Sequence, residues 1–140
     1  SAPAIRFAID AINADAEYGA SLAARAIRNR LNAGAIADET VKAFFAAFDR
    51  AAVSNRKNDL ESLALSSEVG RFISGISGQT IEWKTNVLHV DKIDANNVWV
   101  ETQLSIRLLN RETETGTAVY RLTRVGGSWK LSGVDMFEVR

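Results

Sequence analysis

The hydrophobic period of this chain changes at Gly78, and that change restricts what it can fold into. Before Gly78 apolar residues recur at spacings of three and four; after it they alternate with polar ones. A period near 3.6 turns one face of a helix toward a core, and a period of 2 does the same for a strand. The chain is therefore expected to be α+β, with N-terminal helices packed against a sheet formed by the second half.

In the first half, Ile5, Ile9, Ile12, Ala16, Gly19 and Ala23 mark an amphipathic helix over 5–31 with a narrow, small-residue stripe, stopped by "NAGA" at 32–35. Asp38 can cap a second helix over 39–54, whose stripe is Val41, Phe44, Phe45, Phe48 and Ala52. Asn58 and Glu61 have capping-box spacing, which predicts a short helix over 58–65. A last helix over 67–76 carries Val69, Phe72, Ile73 and Ile76 and ends in "GISG". Beyond it, Ile81, Trp83, Thr85, Val87 and His89 alternate. After the "DKIDANN" turn, Val98, Val100, Thr102, Leu104 and Ile106 do so too. Strands over 117–125 and 129–139 follow, joined by Gly126–Gly127, a pair suited to a tight hairpin. Connections this short cannot carry a parallel crossover, so the sheet is expected to be antiparallel.

Composition excludes several functions. At 140 residues the chain has the length of one domain, and residues 1–140 are read as such, with 1–34 an additional N-terminal helical segment. Lys and Arg number 17, as do Asp and Glu, so no basic face is available for nucleic acid. The chain has no cysteine and one histidine, which excludes thiolate chemistry and leaves no zinc site. No metal and no cofactor are expected. No stretch approaches the about 20 apolar residues of a membrane span. Ser1 and Ala2 suit the position after a signal cleavage, which points to export, periplasmic or secreted, over the cytoplasm.

Chemistry has few bearers. His89 and Asp91 lie two apart on one strand, a possible base and orienter or a strand-end pair beside a solvated turn. Asp135 shares its phase with Trp129, Leu131, Phe137 and Val139. If those face inward, so does Asp135, where desolvation would raise its pKa as acid–base catalysis requires. The other reading is a bulge at Gly133 that turns Asp135 outward. Tyr120 on the neighbouring strand could supply a hydroxyl. Phe48, Trp83 and Trp129 could line a pocket for an apolar ligand or simply form the core. Trp99 is out of phase with Val98 and Val100 and should lie on the outer sheet face.

Helices followed by a long-stranded meander closing on "YRLTRVGGSWKLSGVDMFEV" resemble the NTF2-like (cystatin-like, SnoaL-type) superfamily over about residues 38–140. The resemblance implies a curved sheet wrapped around helices as a cone, with a ligand pocket at its open end. Ketosteroid-isomerase-like members work with carboxylates and a tyrosine inside the cone, which would cast Asp135 and Tyr120 as catalytic residues. NTF2-like proteins also commonly pair through the outer sheet face, which implies a homodimer with Trp99 near its centre. The expected function is a non-catalytic domain binding a small apolar molecule or a protein partner. The alternative is a small cofactor-independent isomerase, dehydratase or hydrolase with an acid–base carboxylate in the cone. This fold hosts both kinds of function, so named residues must choose between them.

Overall fold

The computed structural model describes residues 39–140; the expected helix over 5–31 and the Asp38 cap lie outside the described residues. Helix α1 spans Glu39–Ser54, the range its stripe predicts, and buries Val41, Phe44, Phe45, Phe48, Ala51 and Ala52. It stops where Asn55 adopts φ 57°, a left-handed conformation that asparagine tolerates and that ends helices. The Asn55 side chain then ties this corner to the sheet. Its Oδ1 accepts from the N–H groups of Gly78 (3.2 Å) and Thr80 (2.9 Å), and its Nδ2 donates to the Thr80 carbonyl (3.0 Å).

Helix α2, Lys57–Glu61, is shorter than its expected span and begins without a side-chain cap. Residues 63–65 leave the helix because a sheet edge offers them backbone partners. Leu65 N–H donates to the Leu131 carbonyl (2.9 Å), and Leu131 N–H donates to that of Leu63 (2.8 Å), a short parallel bridge. That contact blunts an edge that would otherwise expose unpaired backbone groups. Helix α3, Ser66–Ile76, runs through Gly75 and is broken internally at Val69 (φ −122°, ψ 16°).

Four strands follow: β1 Thr80–Asp94, β2 Asn97–Leu108, β3 Glu114–Val125 and β4 Ser128–Val139. They form an antiparallel meander in the order β1-β2-β3-β4. Gly126 (φ 59°) and Gly127 (φ 81°) make the β3–β4 turn, whose paired positive φ values suit the strand twist. α1 packs on β1 and α3 on β4, so the helices fill one face of a curved sheet.

The β1–β2 and β3–β4 ladders shift register in five places, and three of these shifts decide where candidate side chains lie. Val87 pairs with Thr102 and His89 with Glu101, leaving Leu88 as an additional residue on β1. On β4, Leu131 pairs with Leu122, Gly133 with Arg121, Val134 with Tyr120 and Met136 with Val119, leaving Ser132 and Asp135 as additional residues. Each such bulge moves the residues after it to the opposite face and bends the sheet locally.

Candidate functional site

The inner side of the sheet is aromatic. Phe45 and Phe48 from α1, Phe72 from α3, Trp83 from β1, Tyr120 from β3 and Phe137 from β4 form a continuous set of ring contacts, with centroids 5.3 to 6.4 Å apart. The contacts are tilted or edge-on except for the stacked Trp83–Phe137 pair, at distances typical of aromatic pairs. Two polar atoms lie in this apolar interior without a partner: the Tyr120 hydroxyl and Trp83 Nε1. Burial pushes the Tyr120 hydroxyl far above its ordinary range, so it stays a neutral phenol.

Phe48 and Trp83, both expected ligand contacts, stand in ring contact at 6.4 Å. Trp129 is placed apart from them. Its Nε1 donates to Thr40 Oγ1 (2.9 Å), and the Arg124 guanidinium covers its ring at 4.4 Å. It thus joins the start of β4 to the first turn of α1.

Asp135 and Tyr120 are not brought together. Tyr120 faces the helices and contacts Phe45 and Phe72. The bulge carries Asp135 to the opposite face, where Trp99 Nε1 donates to its Oδ2 (3.1 Å) and Arg121 Nε to its two oxygens (2.8 and 3.1 Å). Burial still raises the Asp135 carboxyl, against the lowering effects of Arg121 and the Trp99 bond. Trp99 lies on the outer face, as its phase requires. It is only 6% exposed there, packed with Val119 and Met136, so it is no exposed dimer anchor. His89 is on this face too, because the Leu88 bulge reverses its phase. Far from being solvated, it is buried, with Nε2 2.5 Å from Asp91 Oδ1 and Nδ1 unpartnered. Among the described residues no three His, Asp or Glu side chains gather as a metal site would need.

Asp49 was not among the expected site residues. It sits on α1 one residue past Phe48 and four past Phe45, and it receives the Thr85 backbone N–H (2.8 Å) and the Thr85 hydroxyl (2.7 Å). Partial burial pushes its carboxyl up to about 6 in spite of those two bonds, and its charge acts on Tyr120. The sequence signal was a carboxylate at i+4 from Phe45, bordering an apolar stripe. Its partner on β1 is a tertiary contact that no spacing encodes.

No protein-family model matches the sequence, and no curated protein matches it. Solved structures do. An NTF2-like protein of unknown function from Shewanella oneidensis MR-1 superposes with a TM-score of 0.56 at 8% identity, over 69% of this chain and 94% of its own. The fold is NTF2-like. Two further NTF2-like matches have a TM-score of 0.52. A candidate dehydratase from Streptomyces avermitilis is 14% identical, over 69% of this chain and 91% of its own. A candidate scytalone dehydratase from Novosphingobium aromaticivorans DSM 12444 is 13% identical, over 73% of this chain and 81% of its own. In NTF2-like terms, Phe48, Trp83 and Tyr120 belong to the inside of the cone, and Asp135, His89 and Asp91 to the outside of its wall.

Proposed function

We propose that residues 1–140 act as one non-catalytic NTF2-like domain that holds a small apolar molecule inside the cone. The observation that carries this reading is the segregation of buried charge. Among the described residues, the buried His and Asp side chains His89, Asp91 and Asp135 all belong to the outer face, while the buried inner hydroxyl of Tyr120 stays neutral. The inner face is built from aromatic and aliphatic groups, the surroundings in which an apolar ligand gains most by leaving water. Native mass spectrometry of the purified protein tests it. The expected result is an adduct above the 15.3 kDa chain that is lost on denaturation, or heat stabilisation by small apolar probes. A bare chain that no such probe stabilises removes the reading.

Asp49 supports a second reading, a cofactor-independent dehydratase or isomerase. A carboxyl at about 6 is suited to accept and return a proton near neutral pH, and two of the similar structures bear the name of dehydratase. Conversion of β-hydroxy ketones to enones, followed by ultraviolet absorbance, is the test. Turnover abolished by Asp49→Asn supports the enzyme, and absence of turnover in the wild type removes it.

A further inference from the structure

Three tryptophans serve this fold, and two have their indole N–H groups satisfied within the chain: Trp99 by Asp135 and Trp129 by Thr40. Trp83 does not, although it is only 2% exposed. The Tyr120 hydroxyl, on a fully buried side chain, shares that condition. Buried polar groups without a partner are rare in folded proteins and cost about 1–3 kcal/mol each. Both belong to one cluster, because Phe72 stands in ring contact with Trp83 at 6.1 Å and with Tyr120 at 6.2 Å. The third unpartnered atom, His89 Nδ1, belongs to the outer face and plays no part here.

Resting on the ligand-binding reading above, we propose that the molecule held in the cone is uncharged, lies against Phe72, and carries an oxygen that accepts hydrogen bonds from Trp83 and Tyr120. An indole N–H can only donate, so whatever satisfies Trp83 must accept. A cationic group cannot do so. An anion would be desolvated among phenyl rings with no cationic side chain in the ring cluster, and with the Asp49 carboxylate acting on Tyr120. A ketone, ester or ether oxygen on an apolar body meets both conditions.

The test compares two probes of nearly equal shape, α-tetralone, which has a carbonyl, and tetralin, which has none. Binding is followed by calorimetry and by tryptophan fluorescence. Wild type is expected to bind the ketone at least about tenfold more tightly, the discrimination worth one good hydrogen bond. Tyr120→Phe and Trp83→Phe should each weaken ketone binding more than tetralin binding, so that the preference falls toward parity. Tyr120→Phe should also leave the ligand-free protein as resistant to urea as wild type or more so, since it removes an unpartnered hydroxyl from apolar surroundings. If both probes bind wild type equally, the cone binds apolar molecules but the hydrogen-bonding role is overturned. If neither binds, both the role and the ligand-binding reading fall, and internal water alone serves the two donors.

Discussion

Arg121 reaches Asp135 by lying across Gly133. Its Nε is 2.8 Å from Asp135 Oδ2, and a Cβ added to Gly133 would collide with its Nη2 and stand 2.7 Å from its Cζ. An alanine there would have to displace the Arg121 guanidinium from the neighbouring strand β3. Gly133→Ala should cost about 1–2 kcal/mol in urea denaturation, because the displaced guanidinium leaves a buried carboxylate behind. Arg121→Met should cost roughly 2 kcal/mol, at the lower end for a broken buried pair because the arginine is 39% exposed. In the Arg121→Met background the alanine should then cost little. Simple additivity of the two losses would show that Gly133 serves some other purpose.

The corner between α1 and β1 depends on Asn55 in two separable ways. Its backbone needs a residue tolerant of φ 57°, and its side chain makes three bonds to Gly78 and Thr80. Asn55→Gly keeps the first and loses the second; Asn55→Ala loses both. We expect thermal denaturation to rank wild type above Gly and Gly above Ala, with the last step about 1 kcal/mol. Equal stability of Gly and Ala variants would show that the conformation costs nothing there.

Phe48 is 1% exposed and touches Phe44, Phe45 and Trp83. Phe48→Ala should cost about 3–5 kcal/mol, whereas Val53→Ala on the same helix, at 41% exposure, should stay within about 0.5 kcal/mol. Chemical denaturation of the two variants checks this, and a loss under about 1 kcal/mol for Phe48→Ala would remove it from the core.

Much of the fold was legible because local pattern and tertiary burial agree. The α1 stripe and the Gly126–Gly127 turn are read directly, since each depends on residues adjacent in the chain. Register was less legible. The β1 alternation places His89 in phase with Trp83, yet one additional residue at Leu88 sends it to the other face. Asp135 changes face in the same way, and bulges depend on how the neighbouring strand pairs, which periodicity does not record. Of the inner ring cluster, Phe48 and Trp83 followed from apolar phase alone. Asp49 did not, because its surroundings are made by Thr85, thirty-six residues away.

Asp49 also sets an expectation for pH. In the folded chain its carboxyl is raised from 3.8 to about 6, so the folded state binds the proton more tightly than the unfolded chain. By linkage, the stability this contributes is fully present below about pH 4 and is lost as the pH rises through about 6. Asp49→Asn keeps an oxygen for the Thr85 bonds and cannot titrate. The difference in urea midpoint, wild type minus variant, should therefore fall between pH 4 and pH 7. Asp135, also raised by burial, is present in both proteins and largely cancels from that difference. Because Asp49 is only partly buried, solvent moderates the effect; burial raises the carboxyl and the Arg50 charge lowers it, so high salt, by screening Arg50, should not diminish the fall. A difference that stays constant across this range would mean that Thr85 holds the carboxylate as comfortably as water does.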